Sequence, residues 1–293
     1  MPNGIIIIDK PAGWTSMDVC AKLRGMFHEK RVGHAGTLDP MATGVLPVFI
    51  GRATRAVEFA ADSDKEYIAG LKLGVVTNTQ DTTGEILEER PVTVARSEVE
   101  TVLSRFTGAI EQVPPMYSAI KVNGKKLYEL ARKGKEVERK PRPVTIYSLG
   151  INETESPVDF QLSVRCSKGT YVRTLCHDIG QALGCGGCMS SLRRVKAAGF
   201  TLADSVALDT VQEAVDRGEG ESLLLPVDRC FRDQPRLTLR TAGAEKKIRN
   251  GAALSVPDIP DGEYRVYGAG NTFLALCKAA CGTLTTVKSF FEV

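Results

Sequence analysis

The chain has 293 residues, 43% of them hydrophobic and 25% charged, with a formal net charge of +3. This composition excludes a disordered polymer, and the length allows two ordinary domains or one large domain with a small appendage. The longest apolar run near the start, Gly4 to Ile8, is closed at once by Asp9 and Lys10. That is far short of a membrane span or a signal-peptide core, so the protein is expected in the cytosol and off the membrane.

In chain order, Gly4 to Ile8 reads as a strand, followed by a turn through Pro11 and Gly13 and a helix capped by Thr15 or Ser16. Val19, Leu23, Met26 and Phe27 recur at helical spacing in that helix and predict its core face. Gly33 to Gly44 is glycine-rich and contains Asp39-Pro40, where the residue before proline is pushed out of helical geometry, so it reads as a loop. Val45 to Ile50 and Tyr67 to Leu73 predict strands, and Ser97 to Phe106 a helix opened by Ser97 and Glu100. Phe160, Leu162, Val164 and Cys166 alternate with polar residues, which marks a strand with one buried face. A helix from about Thr170 carries Val172, Leu175, Ile179 and Leu183 and stops at Gly184 to Gly187. Beyond residue 230 come short β-like runs, Leu237 to Leu239, Tyr264 to Tyr267 and Thr272 to Leu276, predicting a small β-rich unit. The eight cysteines fall mostly inside apolar patterns and read as reduced thiols.

Charge is concentrated in one place. Between Lys121 and Arg142 nine Lys or Arg stand against three Glu, a net +6 that leaves −3 for the rest of the chain. Such a segment suits phosphate contact, while a solvated surface loop is its plain alternative.

The densest motif is Gly33-His34-Ala35-Gly36-Thr37-Leu38-Asp39-Pro40-Met41-Ala42-Thr43-Gly44-Val45-Leu46-Pro47-Val48. A carboxylate on a glycine-rich loop that feeds a strand can stand exposed at a cleft, with backbone open to a ligand. By itself Asp39-Pro40 is equally a turn opener. The full string closely resembles the catalytic motif of the TruB family of pseudouridine synthases. Further strings follow in that family's order: Asp9-Lys10-Pro11, Gly13-Trp14-Thr15-Ser16, Lys65-Glu66-Tyr67, Pro114 to Lys121, Gly169-Thr170-Tyr171-Val172-Arg173-Thr174 and Leu192-Arg193-Arg194. They span residues 4 to about 200, and the tail matches only loosely.

The resemblance implies an α/β (α+β) pseudouridine synthase fold with a long mixed, largely antiparallel sheet. It implies a catalytic domain over 1–230 with a basic RNA-binding insertion at about 121–142, and a small β-rich PUA-like domain over 235–293. The implied activity is isomerisation of the uridine at position 55 of the tRNA T arm to pseudouridine, with base flipping, no cofactor and no metal. Asp39 would be the nucleophile and Arg173 its ion-pair partner. Tyr67 would pack on the flipped base and take a proton from the sugar if a glycal forms. His34 would hold the nucleotide out of its stack, and Tyr171 and Leu192 would line the pocket. Lys121, Lys125, Lys126 and Arg132 would contact the RNA. The implied partner is tRNA, with no obligate protein partner and a monomeric state.

The chemistry asks for these residue types. The N1 to C1′ bond must break and a C1′ to C5 bond form without loss of uracil, which calls for a positioned carboxylate and acid-base groups but no redox group. The target must also leave its stack to reach them. Taken singly, Arg173 could be a solvated helix residue, His34 a structural one, and Tyr67, Tyr171 and Leu192 core side chains. Cys176, His177, Cys185 and Cys188 offer zinc-ligand types with a CxxC spacing, but Cys176 and His177 are adjacent on a helix and diverge. Two other classes compete: a tRNA chaperone without catalysis, which would not need Asp39, Tyr67 and Arg173 together, and a small-molecule Asp/His hydrolase, which leaves the basic segment unexplained.

Overall fold

In the computed structural model, which describes residues 1–122, 124–152, 156 and 158–291, seven strands run side by side through the larger part of the chain. Their order is Gly4–Lys10, Thr43–Ile50, Gly187–Ala197, Lys65–Leu73, Asp159–Cys166, Arg142–Ile151 and Gly108–Gln112. Val32–His34 and Phe200–Thr201 extend it as short side strands. Every pairing is antiparallel except that of Thr43–Ile50 with Gly187–Ala197, where Arg193 and Arg194 lie opposite Thr43 and Gly44. The mixed, largely antiparallel sheet is therefore present.

The sequence signals act where chemistry says they should. Thr15 caps the helix Ser16–Phe27 in a reciprocal box with Asp18, and Val19, Leu23, Met26 and Phe27 are buried. Ser16 is thereby released to pair with the backbone of Leu38. The second helix starts earlier than Ser97. It runs Arg96–Leu103, Glu98 accepts from the Ala95 N–H, and Glu100 pairs with Arg96 instead of capping. In Asp159–Cys166 buried and exposed residues alternate as expected. The helix Val172–Ala182 is followed by Gly184 at φ +78°, a left-handed position that glycine takes without strain.

Strands Gly108–Gln112 and Arg142–Ile151 are neighbours, with Arg142 opposite Gln112. The stretch between them leaves the sheet edge and returns to it. It contains a small hairpin, Lys121–Val122 with Lys125–Lys126, and the short helix Leu127–Ala131. Arg142 itself belongs to the sheet.

The C-terminal part forms a second sheet in the order Arg236–Thr238, Gly262–Tyr267, Phe273–Ala280, Thr283–Ser289 and Leu254–Ser255, with the helix Ala242–Arg249 beside it. Phe231 joins it to the first body. Its ring meets Phe59 at 5.3 Å, Phe290 at 5.5 Å and Phe273 at 6.1 Å, and the surrounding apolar cluster takes in Phe49 and Leu276. Among the described residues no helix is long and apolar enough to cross a membrane.

Asp178, half-buried on the helix Val172–Ala182, carries a testable cost. Burial pushes its carboxyl up to about 6. A carboxylate with a raised folded value contributes its stability below the unfolded value of 3.8 and loses it as pH rises through about 6. Asp178→Asn is therefore expected to stabilise the protein at pH 7 by on the order of 1 kcal/mol, after discounting for solvent screening. Urea unfolding should show the gain shrinking to nothing as pH falls towards about 4. A gain independent of pH would contradict this cause.

Candidate active site

The loop carrying Asp39 hangs between the helix Ser16–Phe27 and the strand Thr43–Ile50, and short bonds hold it from both sides. The Leu38 N–H donates to Ser16 Oγ at 2.9 Å, the Gly13 N–H donates to the Pro40 carbonyl at 2.8 Å, and the Ala42 N–H closes on the Asp39 carbonyl at 3.0 Å. Gly44 leaves the loop at φ +100°, where a Cβ would stand 2.2 Å from the Arg194 carbonyl oxygen. Only glycine fits there. These contacts leave the Asp39 side chain partly open, 35% exposed, with Leu38 and Ala42 buried on either side.

Arg173, one residue into its helix and buried, reaches Asp39 by Nε to Oδ2 at 2.9 Å. Its other donors are occupied too. Nη1 donates to the Thr79 carbonyl and Nη2 to the Tyr117 carbonyl, both at 2.9 Å, and Nη1 lies 3.7 Å from Asp81 Oδ2. Asp81 is buried and accepts from Thr79 Oγ1, Thr83 Oγ1 and the Thr83 N–H. Its turn is fastened to the central strand by Met189 N–H to Gln80 O at 3.0 Å and Thr82 N–H to Met189 O at 2.9 Å. One guanidinium thus ties together the Asp39 loop, the Asp81 turn and the start of the basic excursion.

Tyr67 lies in the adjacent strand, directly opposite Arg194, with its ring buried. Burial pushes its hydroxyl up from the usual phenol value, while the Arg194 guanidinium facing it pulls the other way. Leu192 is buried two residues from Arg194 in the same apolar cluster as Tyr67. His34 ends the strand Val32–His34. Its imidazole is pushed down by burial and then by Arg194, and its buried Nδ1 has no hydrogen-bond partner among the described residues. Tyr171 precedes Arg173 and is clamped through its backbone by the Gln112 side chain, at 3.0 and 3.2 Å. Burial pushes its phenol up.

The structure therefore sets Arg173 against Asp39 and places Tyr67 opposite Arg194, whose guanidinium bonds Gly36 and Val45 on either side of the Asp39 loop, with Leu192 in the same apolar cluster as Tyr67 and Tyr171 two residues before Arg173. Lys121, Lys125, Lys126 and Arg132 lie on the separate excursion. There Lys126 Nζ meets Tyr128 Oη at 3.3 Å, and the Lys126 and Arg132 cations lie over the Tyr128 ring at 5.4 and 5.5 Å. The excursion is fixed to the site through Tyr117, and through the Tyr128 N–H to Ser118 O bond at 3.1 Å.

Sequence reasoning missed several buried polar partners. Asp81 reads as a turn residue in Thr79-Gln80-Asp81-Thr82-Thr83-Gly84. Lys10 is fully buried, with Nζ bonded to the carbonyls of Trp14 at 2.6 Å, Pro11 at 2.9 Å and Pro40 at 3.3 Å. Its ammonium is pushed down to about 8, by burial first and against the pull of Asp39. Lys65 is likewise pushed down to about 8 by burial. Asp-Lys-Pro and Lys-Glu-Tyr carried the only signal for these, and neither string says that the lysine points inward. The Cys176 to Cys188 set is packed as core. All three thiols are buried, and burial pushes them up. Among the described residues no group of three His, Cys, Asp or Glu is disposed to hold a metal ion.

Comparison with known proteins places the chain. Residues 24–172 match the model of the TruB family pseudouridylate synthase N-terminal domain, and residues 173–232 that of the tRNA pseudouridylate synthase B C-terminal domain. A tRNA pseudouridine synthase B of Clostridium kluyveri is 46% identical over 282 residues, 94% of each chain. One of Pseudomonas putida is 45% identical over 278 residues, 94% of this chain and 90% of that one. Among solved structures, a chain of a Cbf5–Nop10–Gar1 complex superposes with a TM-score of 0.76 at 27% identity, covering 99% of this chain and 85% of that one. With the family's motif carried on the loop that presents Asp39 to Arg173, the chain belongs to the TruB family of pseudouridine synthases, enzymes that isomerise uridine in RNA.

Proposed function

We propose that the protein converts the uridine at position 55 of the tRNA T arm to pseudouridine, with Asp39 as the nucleophile. The observation that carries this reading is the Asp39–Arg173 pair at 2.9 Å on a rigidly held and partly open loop. A carboxylate at such a place can attack the flipped nucleoside, at C1′ or on the ring, while the guanidinium opposite keeps its geometry fixed. Tyr67 stacks on the extruded base, and its hydroxyl faces the sugar. His34 holds the gap in the RNA stack, and Tyr171 and Leu192 wall the pocket. No step calls for a cofactor. Residues 1–230 then act as the catalytic domain and 235–293 as a PUA-like RNA-binding domain, in a monomeric cytoplasmic enzyme.

Forming the C1′ to C5 bond expels the hydrogen at C5. Incubation with tRNA carrying tritium at uridine C5 is therefore expected to release one tritium per tRNA. No release above that of an enzyme-free control would sink the reading.

The basic excursion is read as a clamp on the phosphates of the T arm, contributing affinity and not chemistry. Replacing Lys125, Lys126, Arg132 and Lys133 with alanine should weaken tRNA binding and flatten the slope of log affinity against log salt by roughly two to four units, at about 0.7 to 0.9 per phosphate contact. Single-turnover rates at saturating tRNA should stay near wild type. An unchanged salt slope would make the segment ordinary surface.

A further inference from the structure

Arg194 is 1% exposed, yet no carboxylate pairs with it among the described residues. Two buried lysines lie within reach of its charge. It depresses Lys10, Lys65 and His34 alike. An unpaired guanidinium in the interior is costly to bury, and an apolar side chain of similar volume would spare that cost. What the guanidinium touches gives it a purpose. Nε donates to the Val45 carbonyl at 2.7 Å and Nη2 to the Gly36 carbonyl at 3.0 Å, one on each side of the Asp39 loop. Across the sheet Arg194 and Tyr67 are direct register partners, and the guanidinium pulls the Tyr67 phenol down against the push of burial. On the opposite edge Arg194 pairs with Gly44, and a Cβ on Gly36 would sit 3.3 Å from its Nη1.

Resting on the assignment of Asp39 as nucleophile and Tyr67 as its partner at the base, we propose that Arg194 is a positioning residue for the isomerisation, fixing the Tyr67 hydroxyl relative to the Asp39 loop. Arginine has five donors and no acceptor, so it can hold two loop carbonyls and the phenol oxygen at once and cannot remove the phenol's proton. In the proposed arrangement the phenol oxygen accepts from the guanidinium, which can then receive no proton from it and fixes the oxygen at one place beside the Asp39 loop. Lysine has donors at a single atom and cannot span the three acceptors.

The test is a double-mutant cycle on single-turnover rate at saturating tRNA, using Arg194→Lys, Tyr67→Phe and the pair. Arg194→Lys is expected to slow turnover by at least a hundredfold while tRNA affinity in filter binding stays within about threefold. In the Tyr67→Phe background the same change should cost at least tenfold less, because the hydroxyl it acts through is already gone. Equal costs in both backgrounds, or a folded Arg194→Lys enzyme within threefold of wild type, overturn the proposal. Should Arg194→Lys fail to fold, Arg194→Met takes its place in the cycle, since it removes the buried charge instead of moving it. A third measurement leaves Arg194 intact. With 3-fluorotyrosine at position 67, 19F NMR is expected to show one locked ring orientation, and two exchanging orientations would count against the contact. Asp39→Asn serves as the control that separates failures: if it stays active the nucleophile assignment fails, and if it is dead while the cycle is additive only the role of Arg194 fails.

Discussion

Asp39→Asn should abolish isomerisation, lowering the single-turnover rate by roughly four orders of magnitude or more, the scale on which loss of a nucleophile acts. The amide keeps the shape of the side chain, and the loop that carries it is held by backbone and Ser16 contacts that do not involve the Asp39 carboxylate. Tertiary structure should therefore be unchanged, and tRNA affinity should stay within about threefold. Turnover within tenfold of wild type would remove Asp39 from the chemistry. Loss of binding in parallel with rate would mean that the carboxylate serves docking instead.

Arg173→Met should be the most damaging single change to the fold of the site. It leaves the buried Asp81 without its cation and the Thr79 and Tyr117 carbonyls without a donor. Stranding a buried charge in this way costs about 3–5 kcal/mol, read as a lower urea midpoint with an unchanged m-value. Turnover should fall with it, because the 2.9 Å partner of Asp39 is gone. The cause can be checked by adding Asp81→Asn. Neutralising the stranded carboxylate should return a measurable part of the stability and little of the activity, so the two losses come apart. If Asp81→Asn adds its own full cost on top, Arg173 and Asp81 are not coupled.

The sequence was most informative where local chemistry decides the structure. Thr15 with Asp18, the glycines around Asp39 and the alternation in Asp159–Cys166 act on their own neighbours, and a reader of the chain can follow them. The central strand Gly187–Ala197 was not legible, because Ser190, Ser191, Arg193, Arg194 and Lys196 make it look wet. Burial of Arg194 depends on carbonyls from Gly36 and Val45, more than a hundred residues away, and no periodicity announces that. The same holds for Asp81, whose importance comes only from the guanidinium the fold brings to it. Asp39 and Arg173 were paired by resemblance to a known motif, and the short distance between them supplies the physical reason for that motif.

The central claim is tested most directly by mapping pseudouridine at single-nucleotide resolution in unmodified tRNA after incubation with the purified protein. The account predicts complete conversion at the one T-arm uridine, position 55, with the other uridines untouched and no conversion by Asp39→Asn. Conversion at another position, none at all, or equal conversion by Asp39→Asn would contradict it.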